Sequence, residues 1–391
     1  MPSALVVGAG PAGLMAAQVM AEAGLAVRVV DQKPSVARKF LMAGKSGLNL
    51  TKNEKDADFL RGYGKDAQWL SPMIDAFGVA EVMDWAEGLG QEIFTGSTGR
   101  VFPKAMKASH LLRAWLAYLE ELGVDIATRR AWIGWEGDSL VFDAPDGRET
   151  IAPDVVVFAL GGGSWARLGS DGAWLEPFGG DDIPVRGFEP SNTGLCLDWS
   201  EHMERHFGSP VKNIALRAGE LRSRGEIVIT KSGMEGGGVY PLTPALRVGA
   251  ALQLDFLPDL SEAAISKRLS RPPGKMSTGT YLRKTLKLDP VKIGLLNEVL
   301  RPLPKGADLA AKIKALSLPV LGVMPLDQAI STVGGVMREA INGDLMLKAR
   351  PGNFVAGEML DWDAPTGGYL ITACLSTGVW AGKAAARYAL R

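Results

Sequence analysis

The sequence predicts an α/β fold in which a parallel sheet is assembled from both ends of the chain around a long insertion. Three observations predict it. The first residues, Ala4 to Asp31, run strand, helix, strand with glycines at the turns; the βα rhythm stops between Gly187 and Leu326; and it resumes near the C-terminus with two β-like runs and a long helix. A chain of 391 residues exceeds one ordinary domain, and 47% hydrophobic residues supply more than one core.

The N-terminal unit carries the sharpest signal. Leu5 to Val7 is an apolar, β-branched run of the kind that forms a buried parallel strand, and Gly8, Gly10 and Gly13 follow at GxGxxG spacing. Gly8 permits the tight turn, Gly10 lets backbone approach a pyrophosphate, and Gly13 lets the new helix pack closely on the sheet. Pro11 and Ala12 open a run of strong helix formers ending at Ala23, so the first N–H groups face the phosphates with the helix dipole behind them. Gly24 stops the helix. A second strand, Ala26 to Val30, leads to Asp31, an acid placed to accept ribose hydroxyls and to disfavour a 2′-phosphate. The bound dinucleotide is therefore FAD or NAD.

After the acid, Gln32 to Asn53 reads as a polar, glycine-punctuated loop held down by Phe40 to Met42. Gln32, Lys33, Arg38, Lys39, Lys45, Ser46 and Asn49 are its candidates for holding the rest of a long dinucleotide, through cations on phosphate and N–H groups on a ring. Trp69 to Gly88 is helical in spacing, Gln91 to Pro103 reads as short strands around TGSTGR, and Lys107 to Leu122 is an amphipathic helix stopped by Gly123. Val124 to Ala144 reads as an antiparallel meander, with Trp132 placed for a backbone contact to adenine. Val155 to Leu160 is a second continuous apolar strand, which puts Ala159, Gly161 and Gly162 at the cofactor edge. Nucleotide unit, helices, meander and returning strand follow the order of a flavoprotein sheet of the glutathione-reductase type, which selects FAD over NAD as the resident cofactor.

Asn192 to Leu254 alternates short apolar stretches with turns and reads as a β-rich insert; Ser261 to Leu316, broken by prolines, reads as three or four short helices. Lys267 to Lys287 holds seven cations and no acid, the pattern of a solvated helix face or of an anion-binding patch. The chain then returns through Ile330 to Val336 and Asn353 to Glu358. Gly357, Glu358, Gly367, Gly368 and Tyr369 precede or open a helix from Tyr369 to Tyr388, a second place where backbone donors can face a flavin.

VVGAGPAGLMAA, RKFLMAGKSGLNLTKNE, GRVFPKAMKASHLL, VVFALGGGSWARLGSDG, STVGGVM and FVAGEMLDWDAPTGGYLITACLSTG occur in this order. In these strings the chain resembles the BaiN/RdsA (YhiN-like) family of NAD(P)/FAD-dependent oxidoreductases over its whole length. It departs from most members at Lys45-Ser46-Gly47-Leu48-Asn49, where they carry a Gly-Gly-Arg-Cys-Asn-like run, which marks a divergent subgroup. The resemblance implies an FAD-binding Rossmann-like domain (1–190 and 327–391), an inserted β-rich domain (191–257 and 317–326) and a nested helical subdomain (258–316).

The expected function is that of an FAD-dependent oxidoreductase acting on a small molecule, with NAD(P)H as a candidate reductant that lacks a Rossmann unit of its own. Non-covalent flavin is expected, since no His or Cys stands in the candidate loops. Rival readings are a flavoprotein that binds or modifies RNA and a flavin-binding protein without turnover; 43 basic against 43 acidic residues give no general pull toward nucleic acid. Cys196 and Cys374 are in no metal or redox spacing, and His202 and His206, an i, i+4 pair expected on one helix face, lack an accompanying acid motif for zinc. No general acid or base stands out; Glu358 and Asp361 lie near the expected flavin, and His110 sits on an amphipathic helix. A first strand within four residues of Met1, with no apolar run of about eighteen residues, leads us to expect a cytoplasmic bacterial protein with no membrane partner.

Overall fold

The computed structural model describes every residue except 45, 46 and 181. The chain forms two compact units, Met1–Glu189 with Ser331–Arg391, and Pro190–Ile330. In the first unit the strand β1 (Ser3–Val7) is followed by the helix α1 (Pro11–Glu22), the strand β2 (Ala26–Asp31) and the short helix α2 (Arg38–Ala43). β1 and β2 pair in parallel within a five-stranded sheet ordered 353–355, 155–158, 3–7, 26–31, 125–128. Every ladder in it is parallel. Strands so placed are covered on both faces, which is why Leu5, Val6, Val7 and Val155 to Phe158 are apolar without alternation and buried.

One covering layer is made by α1 and the final helix, Tyr369–Ala389. Their close approach depends on small residues: a methyl at Gly382 would lie 2.9 Å from the Ala16 carbonyl oxygen. The meander Ala131–Glu136, Ser139–Ala144, Gly147–Ile151 is antiparallel, and a second small antiparallel sheet joins Thr51–Lys52, Arg100–Pro103 and Ile93–Thr95.

Four sequence expectations are corrected here. Asp125–Thr128 is the edge strand of the parallel sheet and no part of the meander; it pairs with β2, and Arg28 Nε lies 3.0 Å from the Asp125 carboxylate. The segment after Asp31 is no simple loop, because Phe40 is buried and anchors α2. Trp69 to Gly88 falls into two helices, Ala67–Ala76 and Val79–Gly88, broken at Phe77-Gly78. Glu201–His206 is a 3₁₀ helix, so residues four apart are a third of a turn out of line: His206 is buried while His202 is exposed. Burial, with Arg205 beside it, lowers the His206 imidazole below its ordinary range.

The second unit is a seven-stranded antiparallel sheet ordered 316–318, 252–255, 210–218, 221–230, 233–235, 195–196, 322–323. Glu262–Leu269, Thr278–Leu286, Pro290–Val299 and Gly306–Lys314 are its longer α-helices, beside the short Thr243–Arg247. Local chemistry starts three of them, since Ser261, Ser277 and Asp289 side chains accept the N–H of Ala264, Thr280 and Lys292. Sheet residues Ile214, Leu216 and Leu254 share one core with helical residues Leu282, Leu295 and Ile313. Among the described residues no helix is long and apolar enough to cross a membrane.

Candidate functional site

All strands of the first unit's sheet run the same way, so their carboxyl ends line one edge, the place where ligands bind in open α/β sheets. The turn after β1 is held from three sides. Gly8 has φ +106°, its N–H donates to the Val30 carbonyl at 2.8 Å, and a side chain there would strike the Ala159 carbonyl. Gly13 lies one turn into the packing, where a methyl would fall 1.9 Å from the Gly8 carbonyl oxygen. Gly10 differs from both. Its φ of −86° suits any residue, and a methyl there meets nothing within 4 Å. Pro11 opens α1, no acid stands in the first turn, and the Ala12 and Gly13 N–H groups have no intrahelical acceptor.

Asp31 ends β2 and faces this turn. Its carboxylate accepts the Ala9 N–H at 2.9 Å and the Lys33 N–H at 2.8 Å. Burial nevertheless raises its carboxyl above the ordinary range, with those two N–H groups and the charges of Lys33 and Arg38 pulling the other way. Three strand spacings away, on the far side of β1, Glu358 follows Asn353–Val355, about 14 Å from Asp31 along the edge. There Lys39 Nζ donates to Glu358 Oε2 at 2.7 Å and to Ser164 Oγ at 2.8 Å, while the Thr332 N–H donates to Glu358 Oε1 at 3.1 Å. Cys374, on the final helix, is beside this pair; burial, reinforced by the Glu358 charge, pushes its thiol up to about 12.

Between these ends runs a cleft with about 1000 Å³ of empty space, its open mouth included. Gly8, Gly10, Pro11, Ala12, Asp31, Gln32, Arg38, Lys39, Trp132, Ala159, Gly161, Gly357 and Glu358 line it, so the structure brings thirteen of the sequence candidates to one wall. Two polar atoms on lining residues, Trp132 Nε1 and Arg38 Nε, are buried without a hydrogen-bond partner among the described residues. Room, unpartnered donors, the open position above Gly10 and a carboxylate at one end fit an extended dinucleotide.

Other candidates have different surroundings. Gly13 packs beneath the turn, and Lys33 reaches the site through its backbone N–H while its stem lies against Gly169. Gly162 is wedged against Thr332 and Glu358 behind the wall. Asn49 Oδ1 is buried with no partner among the described residues, and Lys45 and Ser46 lie outside them. Gly367, Gly368 and Tyr369 do not line the cleft. A side chain on Gly368 would strike the Thr51 backbone, while the Tyr369 ring stacks on Phe59 at 4.6 Å and its hydroxyl bonds Glu54 and accepts from Lys52. Close packing on Thr51 accounts for Gly368, and a φ of +113° for Gly367. His110 is exposed, away from the cleft.

Sequence reasoning missed Arg130, Ser170, Asp171, Trp174 and Cys374 as lining residues. The signal for two of them stood in the string GGGSWARLGSDG, whose second half folds back, with Trp174 just beyond its end: Ser170 Oγ donates to the Gly162 carbonyl at 3.0 Å, Trp174 Nε1 to the Gly161 carbonyl at 3.0 Å, and Gln32 Nε2 to Asp171 at 3.1 Å. Arg130 and Cys374 carry no motif.

Fold and cleft together define a Rossmann-type dinucleotide-binding protein. Residues 2–384 match the HI0933-like protein Rossmann domain, and the chain belongs to that family. A 3-dehydro-bile acid delta(4,6)-reductase of Clostridium scindens is 26% identical over 411 positions, covering 97% of this chain and 98% of that protein. A ribosomal RNA dihydrouridine synthase of Escherichia coli (strain K12) is 22% identical over 388 positions, covering 94% and 93%. Among solved structures, the open conformation of a flavocytochrome c3 fumarate reductase superposes with TM-score 0.56 at 16% identity, covering 100% of this chain and 79% of that one. The 3-ketosteroid delta1-dehydrogenase from Sterolibacterium denitrificans does so with TM-score 0.55 at 11% identity, covering 99% and 100%. At such identities the superpositions speak for the fold alone.

Proposed function

We propose that the protein is an FAD-dependent oxidoreductase acting on a small molecule, with FAD held non-covalently along the cleft. One observation carries this reading. Of the three motif glycines, Gly8 and Gly13 are required by the protein's own packing, whereas Gly10 points a missing side chain into open cleft, and close approach of a ligand accounts for it. The first-turn N–H groups of α1 would receive the pyrophosphate, Asp31 the ribose and the Trp132 segment the adenine, leaving the ring system toward Lys39 and Glu358. When bound, the flavin supplies hydride transfer. Cys374, a neutral thiol at ordinary pH, is no nucleophile toward it. The names of the two relatives, a reductase and a dihydrouridine synthase, support reduction as the direction, with NAD(P)H as candidate donor.

Gly10→Ala is the test. The flavin-free variant should lose no more than about 1 kcal/mol of stability, the scale of an N-cap change. FAD affinity, read by fluorescence titration, should fall by about tenfold or more, which is about 1.4 kcal/mol. Undiminished affinity would remove the pyrophosphate from this turn.

A second reading, in which the substrate is RNA, draws on the second unit. Lys267, Arg268, Arg271, Lys275, Arg283, Lys284 and Lys287 are all exposed, and none forms an ion pair among the described residues. Two helices and a loop pinned by Tyr281, whose hydroxyl shares its one hydrogen between the Leu269 and Arg271 carbonyls, carry them. On this reading RNA is retarded in a mobility-shift assay at low salt and released as salt rises; no shift at any salt leaves the small-molecule reading.

A further inference from the structure

Lysine offers three N–H donors. Lys39 uses one on Glu358 and one on Ser164, and among the described residues no acceptor takes the third. Glu358 is held at both oxygens, by Lys39 on one and by the Thr332 N–H on the other. The side chains are 24% and 8% exposed, so the ammonium stands on the open side and the carboxylate behind it. The arrangement is braced at every member. Ser164 and Thr332 are fully buried, the Gly163 N–H reaches the Thr332 hydroxyl at 3.4 Å, and Gly162 lacks the side chain that would strike Thr332 and Glu358. Four chain segments thus hold one ammonium in place, more fixing than a surface ion pair provides.

The position of this ammonium gives it a task. Asp31 marks the ribose end of the cleft and the α1 N-terminus the phosphates, so the end defined by Glu358, three strand spacings from Asp31, falls to the redox-active ring. We propose that Lys39 donates its third N–H to the flavin ring and sets the cofactor's reduction potential, with Glu358 as the positioning residue that limits the effect of the charge. The proposal rests on the FAD reading of the cleft. Reduction adds two electrons and one proton to the ring and leaves one negative charge, so a fixed cation favours the reduced form over the oxidised one. Cys374 does not offset it, because its thiol stays neutral.

The test compares the parent with Lys39→Met/Glu358→Gln and with Glu358→Gln alone, in full-length protein loaded with FAD. The double variant removes both charges and so strands no buried carboxylate. Potentials are read by equilibration with a reference dye under dithionite, and FAD affinity by fluorescence titration. The double variant should weaken reduced FAD about tenfold more than oxidised FAD, a fall of about 30 mV for a two-electron couple. Glu358→Gln should move the potential the opposite way, and it decides the matter should the double variant not fold. Equal weakening of both redox forms would place Lys39 on the phosphates, and no change in either would make it a structural tie; each overturns the proposal. A parent that takes up no FAD overturns the cleft reading itself, which the parent titration shows before any variant is made.

Discussion

Gly13→Val should yield a protein that neither melts cooperatively near the parent temperature nor retains flavin. The added Cβ would lie 1.9 Å from the Gly8 carbonyl oxygen and 3.1 Å from Val6 Cγ1. Neither can retreat. Gly8 is tied through its N–H to Val30, and its other side abuts the Ala159 carbonyl, so the turn is caught between α1 and two strands. Overpacking against side chains costs about 1–3 kcal/mol; here the obstacle is backbone, and about 3 kcal/mol or more is expected. Thermal melts with FAD omitted isolate that cost from cofactor loss. A flavin-free melting temperature equal to the parent's would refute the packing role given to Gly13.

Gly368→Val should be comparably damaging for two additive reasons. Gly368 has φ +102°, a conformation that strains a β-branched residue by about 1–3 kcal/mol. Its Cβ would also sit 2.5 Å from Thr51 Cα, an overlap that adds about 1–3 kcal/mol. Relief by movement is blocked, since Thr372 Oγ1 donates to the Gly368 carbonyl at 2.9 Å and accepts from Thr51 Oγ1 at 2.9 Å, and so clamps the helix start to the same strand. The result to look for is loss of soluble protein, with flavin lost as a consequence. A variant that keeps the parent's flavin-free stability yet binds no FAD would mean that Gly368 meets the cofactor directly, as its place before a helix suggested from sequence.

These two glycines show why part of the molecule was legible in the sequence and part was not. The β1 to β2 unit is local: strand period, turn glycines, helix formers and terminal acid all fall within 31 residues, and the paired strands were readable from them. The five-stranded sheet needs partners from distant segments. Asp125–Thr128, half-exposed at the edge, lacks the apolar run that marks a central strand, and only its pairing with β2 assigns it. Two glycines before a helix look the same in sequence whether they face a ligand or a neighbouring backbone; the Thr51 contact separates the cases at Gly368. Likewise Lys39 was readable as a cation near the cofactor, while its clamp by Glu358 and Ser164 joins residues 319 and 125 positions away.

The pairing of α1 with the final helix has a consequence for biosynthesis. Ala12 and Ala16 are made among the first residues, yet Gly378 and Gly382, which seat against them, are made some 366 residues later by direct subtraction of their numbers. At roughly 5–20 residues per second, a ribosome needs tens of seconds to span that gap. Through that interval the buried face of α1 lacks its partner, and the strand Asn353–Val355 that completes the sheet edge does not yet exist. The nascent dinucleotide unit therefore exposes apolar surface through most of synthesis, and the cleft wall that Gly357 and Glu358 supply is completed only when the last segment has been made.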